Sequence, residues 1–231
     1  MRVEELAKTI DSTLLEATST TSADEVLCRD AITYHFASVC VLPYHVPLAR
    51  RLLQGHDVKV GTVVSFPLGA DSLRAKIVAA EQAVAMGADE IDVVLNIPAM
   101  MSGDFRYVRD ELRSVVRSVR MTSVNTGRGL VLVKANVEAY YLDEKLKRLV
   151  CKIVEDCGAD FITTSTGFAP GGATAKDVEL FRDLLPESVG VNACGGILTA
   201  EDAELMINAG AARIGTSHAV EIIKEFTSCK D

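Results

Sequence analysis

Apolar and β-branched residues gather in short runs along the chain, and between the runs apolar positions recur every three or four residues. The short runs lie near 8–13, 37–42, 58–65, 90–95, 130–138, 160–164, 189–194 and 212–216. Several, such as Val60-Gly61-Thr62-Val63-Val64, carry no charge on either face, as strands of a buried parallel sheet do. The intervening spacing predicts amphipathic helices over Asp71 to Met86 and Leu142 to Cys157. Asp24, Asp104 and Thr199 stand where helix N-caps are expected.

Eight strands alternating with helices predict one (β/α)8 (TIM) barrel spanning residues 1–231 as a single domain. A doubly wound open sheet is the competing architecture, but a Gly-rich turn after the first strand is missing. The barrel places function at the carboxyl ends of the strands.

Composition narrows the function classes. Hydrophobic residues make up 48% and charged residues 24% of 231, a globular balance. The apolar runs stay far below the roughly 20 residues of a membrane span. Met1-Arg2-Val3-Glu4-Glu5 has acid where a signal peptide is basic. A net charge of −8 offers no field for nucleic acid or a membrane surface, so an anionic ligand needs local groups. The cysteines (Cys28, Cys40, Cys151, Cys157, Cys194, Cys229) show no CxxC pairing and read as reduced thiols of a cytoplasmic protein, without metal or cofactor.

Alternation puts Leu132, Lys134, Asn136 and Glu138 on one face of the fifth strand. If that face points inward, neighbouring strands bring Asp92, Thr163 and Asn192 to the same space, with Asp11, Cys40 and Cys194 also in the pocket. Thr166-Gly167, Gly195-Gly196 and Gly215-Thr216-Ser217 form turns after the last three strands. Their backbone amides are candidates for a phosphate, a reading ranked a little above mere tight turns. Cys40 and Cys194 read as buried thiols, since His35, His45, His56 and His218 offer them no clear base.

These segments resemble the deoxyribose-phosphate aldolases, a family of class I (imine-forming) aldolases. Asp160-Phe161-Ile162-Thr163-Thr164-Ser165-Thr166-Gly167-Phe168 is similar to that family's Lys-Thr-Ser-Thr-Gly-Phe signature. Val191-Asn192-Ala193-Cys194-Gly195-Gly196-Ile197-Leu198 is similar to its Val-Lys-Ala-Ser-Gly-Gly-Ile-Arg strand. The likeness extends through Ile10-Asp11-Ser12-Thr13-Leu14-Leu15, Val63-Val64-Ser65-Phe66-Pro67-Leu68-Gly69 and Arg213-Ile214-Gly215-Thr216-Ser217. It implies an aldolase barrel that splits 2-deoxyribose 5-phosphate into glyceraldehyde 3-phosphate and acetaldehyde without a metal. One lysine forms the imine, a second lowers its pKa, and an aspartate, matched by Asp92, moves protons. Here the two lysine positions hold Thr163 and Asn192. Leu42, Cys194 and Leu198 stand where the family has asparagine, serine and arginine.

Lys134, which the resemblance marks as a pocket residue, becomes the candidate amine. It is an imine former or proton donor if burial lowers its pKa, or the partner of Asp92 or Glu138 in an ion pair. The ion pair is slightly favoured, because carboxylates keep an ammonium charged. Three functions stay in view. One is altered lyase or proton-transfer chemistry on a small phosphorylated carbonyl compound. A second is non-catalytic binding of a sugar phosphate or protein partner. The third is ordinary aldolase activity with Lys134 as a relocated imine lysine. A homo-oligomer is allowed by all three.

Overall fold

The computed structural model describes residues 1–228, so Cys229 falls outside the described residues. Eight parallel strands close into a barrel in chain order: β1 Ile10–Leu14, β2 Ser38–Val41, β3 Lys59–Val64, β4 Glu90–Val94, β5 Leu132–Asn136, β6 Phe161–Thr163, β7 Gly190–Cys194 and β8 Arg213–Thr216. Closure comes from β1 against β8, with Ile10 opposite Ile214 and Asp11 opposite Gly215. The predicted barrel is the observed one, and the open sheet is excluded.

The helices are α1 Val3–Ala7, α2 Thr21–Tyr34, α3 Val46–Leu52, α4 Leu73–Met86, α5 Ile97–Met101, α6 Phe105–Asn125, α7 Glu144–Cys157, α8 Ala175–Leu184, α9 Ala200–Asn208 and α10 Ala219–Ser228. Asp104 and Thr199 cap α6 and α9 as expected, accepting from the amides of Tyr107 and Asp202. Asp24 does not cap α2. Thr20 does, through the amide of Ala23, while Asp24 sits inside the helix and pairs with His45 at 2.8 Å. An acid in a first turn satisfies the same dipole as a cap, which is why sequence alone confuses the two.

Strand alternation explains where the core lies. Val39, Val41, Val60, Ile91, Val93, Val133, Ala135, Ile162, Val191, Ala193 and Ile214 are buried in the apolar shell between strands and helices. The residues between them, Asp11, Ser38, Cys40, Glu90, Asp92, Lys134, Asn136, Asn192 and Cys194, line a cavity inside the barrel. The apolar core is therefore a cylinder around a polar centre. Asp11, Ser38, Glu90, Lys134, Asn136 and Asn192 are nearly cut off from water there and need a protein partner or a ligand, while Cys40, Asp92 and Cys194 keep some exposure to the cavity.

Candidate active site

The deeper tier of the barrel is ionic. Lys134 Nζ lies 2.5 Å from Asp11 Oδ2 and 2.7 Å from Glu90 Oε2. Arg213 reaches the other oxygens of the same two acids, at 2.9 and 2.6 Å. Ser38 donates a further hydrogen bond to Asp11 at 2.7 Å. Two acids and two bases thus close a neutral ring. Burial favours a neutral Lys134, but Asp11 and Glu90 outweigh it and raise its pKa above the ordinary lysine value. Burial also works against ionised Asp11, and Lys134 with Arg213 overcome it, so this carboxyl ionises more readily than usual.

The partners expected for Lys134 were Asp92 and Glu138, and the structure corrects both. Glu138 lies beyond β5 with a left-handed backbone and turns to the β6 loop, where it accepts from the amide and hydroxyl of Thr166. Glu90 and Arg213 were missed. Each precedes an inward residue by two positions on its own strand, the signal that alternation offered.

One layer nearer the mouth, Thr163 donates to Asp92 Oδ2 at 3.1 Å and receives from Asn192 Nδ2 at 3.4 Å. Asp92 Oδ1, Asn192 Oδ1 and Ser165 Oγ have no hydrogen-bond partner among the described residues. All three residues line the cavity, whereas Thr163 lies just behind it, fully buried. Asn136 is spent on the scaffold, donating to the Ser165 carbonyl and accepting from the amide of Glu138. Burial pushes the pKa of Asp92 up to about 7; Lys134 and the Thr163 hydroxyl pull it down, and Asp11 and Glu90 add to the rise. Near neutral pH this carboxyl therefore stands ready to give or take a proton.

Cys40 and Cys194 line the same space, and burial holds both thiols well above their ordinary pKa. They remain protonated and poorly nucleophilic, as expected. No cluster among the described residues could hold a metal ion.

The cavity, about 400 Å³, opens at the carboxyl ends of the strands. Thr166, Gly167, Gly195, Gly196, Gly215, Thr216 and Ser217 all line it, so the three turns do meet at the mouth. Their donors are partly committed already. The Thr216 hydroxyl donates to the Ile197 carbonyl and accepts from the His218 amide, while Thr166 is held by Glu138. The close approach of loops also needs glycine: a Cβ on Gly172 would sit 2.2 Å from the Gly195 carbonyl oxygen. Leu198 and Phe168, exposed by 52% and 58%, stand at the rim.

Known proteins share this fold and much of this sequence. Residues 6–219 match the DeoC/LacD family aldolase. A deoxyribose-phosphate aldolase of Thermoanaerobacter sp. (strain X514) is 47% identical over 97% of this chain and 98% of its own length. One from Treponema denticola is 42% identical over 95% of this chain and 98% of its own. Among solved structures, the tetrameric deoxyribose phosphate aldolase of Aeropyrum pernix superposes with a TM-score of 0.89 at 33% identity, covering 99% of this chain and 93% of that one. Among the described residues, no helix is long and apolar enough to cross a membrane. A closed eight-stranded barrel, a polar cavity at its carboxyl end and near-complete alignment with these relatives place the chain in the DeoC/LacD family of aldolases.

Proposed function

We propose that this protein is a lyase or proton-transfer enzyme of the aldolase family that handles a small carbonyl compound without forming an imine. The observation that carries the reading is Asp92. It keeps one oxygen on Thr163, holds the other without a hydrogen-bond partner, lines the cavity, and has its pKa pushed up to about 7 by burial. As a carboxylate it takes the proton next to the substrate carbonyl and gives an enolate; as the acid it returns that proton. In carbon–carbon cleavage, the carboxylate takes the proton of the β-hydroxyl instead. The bond electrons then pass to the enolate, which is protonated at carbon. Lys134 stays an ammonium and lends positive potential to the developing oxyanion.

An imine route is disfavoured on the same geometry. The resemblance puts Thr163 and Asn192 at the positions of the family's two lysines, and a threonine or asparagine side chain cannot condense with a carbonyl. Lys134 is tied to two carboxylates, so its neutral form is scarce. On this reading residues 1–231 act as a single domain in the cytoplasm. Assembly into several copies is supported by the tetrameric relative from Aeropyrum pernix.

The test is exchange of carbon-bound hydrogen in deuterated buffer, followed by NMR, with 2-deoxyribose 5-phosphate, glyceraldehyde 3-phosphate, acetaldehyde and unphosphorylated aldehydes. We expect exchange that rises with pH through about 7, where Asp92 becomes a base. Asp92→Asn should lower it by about 100-fold or more. Borohydride should trap no lysine adduct, and acetaldehyde release from 2-deoxyribose 5-phosphate should be negligible. Cleavage at roughly 1–1000 per second would overturn the reading. So would exchange that survives in Asp92→Asn.

A further inference from the structure

We infer that Thr163 is a positioning residue for the Asp92 base: its hydroxyl, aimed by Asn192, holds the carboxylate in one orientation and stabilises its ionised form. This role rests on the proposed reading only in taking Asp92 as the group that moves the proton. It gives a task to the two residues that the resemblance puts at the family's lysine positions.

The first support is a one-way chain of hydrogen bonds linking β7, β6 and β4. Thr163 and Asn192 lie opposite each other in register on neighbouring strands. Asn192 Nδ2 donates to Thr163 Oγ1 at 3.4 Å, and Thr163 Oγ1 donates to Asp92 Oδ2 at 3.1 Å. A hydroxyl has a single proton to donate. With one of its lone pairs engaged by the amide, that proton is left for the carboxylate. The reversed amide would set two acceptors, Asn192 Oδ1 and Asp92 Oδ2, against the one proton. Thr163 is fully buried, so its hydroxyl has no water to turn to and stays in the chain.

The second support is what else surrounds Asp92. Asp11 of β1, Cys40 of β2, Val63 of β3, Glu90 of β4, Lys134 of β5, Cys194 of β7 and Arg213 of β8 make up the rest of its setting. Both bases are engaged with Asp11 and Glu90 in the ring. Both thiols are held neutral by burial. Among the described residues, the Thr163 hydroxyl is the one hydrogen-bond donor to the Asp92 side chain. Burial, with Asp11 and Glu90, disfavours the Asp92 carboxylate, and Lys134 and the Thr163 hydroxyl oppose that. Of those two, only the hydroxyl is reserved for Asp92.

The third support is chemical. Neither a hydroxyl nor an amide changes charge near neutral pH, so the chain persists as Asp92 gains and loses its proton. A donor to a carboxylate favours the charged form. Loss of the Thr163 hydroxyl therefore raises the pKa of Asp92 and moves the appearance of the base to higher pH.

The experiment titrates the Asp92 carboxyl by carbon-13 NMR in the substrate-free protein, beside the pH profile of hydrogen exchange with the carbonyl compounds named above. Thr163→Val removes the hydroxyl and keeps the shape. We expect its midpoint to lie about one pH unit or more above the wild-type value of about 7. Exchange near neutral pH should fall about fivefold, with most of the loss regained about two pH units higher, which a merely loosened barrel would not show. Thr163→Ser keeps the hydroxyl and should stay within about 0.3 pH units of the wild type. Asn192→Leu releases the hydroxyl from its aim and should raise the midpoint by less than Thr163→Val does. The double variant should match Thr163→Val alone, because Asn192 acts through Thr163. An unmoved midpoint in Thr163→Val, or an equal rise in Thr163→Ser, would overturn the role. Melting curves show which variants fold. Should Thr163→Val fail to fold, a midpoint that rises in Asn192→Leu but not in Thr163→Ser supports the role, and any other pattern overturns it. Because the titration needs no substrate, the two readings fail separately. A shifted midpoint without exchange sinks the proton-transfer reading alone, and exchange through Asp92 with an unshifted midpoint sinks the role of Thr163 alone.

Discussion

Two lysines of this molecule are cut off from water, and their surroundings push them in opposite directions. Lys76, on α4, is fully buried between helices and meets a single acid, Glu111 of α6, at 2.7 Å, plus the Val94 carbonyl at 2.9 Å. Burial dominates there: the pKa of Lys76 falls, and burial likewise raises that of Glu111. Lys134, buried inside the barrel, meets two acids that Arg213 also braces, and its pKa rises instead. Burial alone therefore does not make an amine neutral. Two carboxylates in direct contact outweigh it at Lys134, so the barrel holds a charge rather than a nucleophile.

The comparison breaks most visibly if Lys134 is removed. Lys134→Met leaves Asp11 and Glu90 facing one base, and should destabilise the protein by about 3–5 kcal/mol in urea unfolding at neutral pH. A loss below about 1 kcal/mol would show that the ring is not a unit.

Asp92 probes the same balance from the acid side. Its folded pKa of about 7 lies above the ordinary carboxylate value, so the folded state keeps a proton that the unfolded state has lost. Stability is thus fully present below about pH 4 and declines as pH rises towards 7. Asp92→Asn removes that decline. It should be more stable than the wild type by about 2–4 kcal/mol at pH 8, and nearly equal to it near pH 4. The opposite pH trend would refute the assignment.

The smallest effect is expected at the helix pair. The double variant Lys76→Met with Glu111→Leu deletes both members of one buried pair, and should stay within about 1 kcal/mol of the wild type, because replacing a whole buried pair by apolar groups is often neutral. A large loss would mean that Lys76 matters chiefly through its bond to the Val94 carbonyl.

Much of the fold was legible in the sequence for a simple reason. Parallel strands flanked by helices leave an uninterrupted apolar imprint, and runs such as Val60 to Val64 carried it into the observed β3. The inward set was legible from alternation, which put Lys134, Asn136, Asp92 and Asn192 in one cavity. What alternation lacks is the tilt and stagger of strands around a barrel. Those decide that Lys134 meets Asp11 across the interior instead of Asp92 beside it, and that Glu138 leaves the strand to serve the β6 loop. The mouth was hardest to read. A Gly-rich turn announces exposed amides, but a partner for one of its neighbours can come from far along the chain, as Glu138 does for Thr166, 28 residues away.

The ionic ring also divides the chain by origin. Both acids, Asp11 and Glu90, belong to the first four strands, and both bases, Lys134 and Arg213, to the last four. The links from Lys134 to Asp11 and from Arg213 to Glu90 each bridge 123 positions. As the polypeptide is made, its leading half carries two negative side chains whose counterparts have not yet been synthesised. Two copies of that half would bring like charges together at their centre, and two copies of the trailing half would do the same with opposite sign. Only one leading half with one trailing half gives a neutral interior. The ring is thus a check on assembly, favouring the pairing of unlike halves over a barrel built from two copies of the same half.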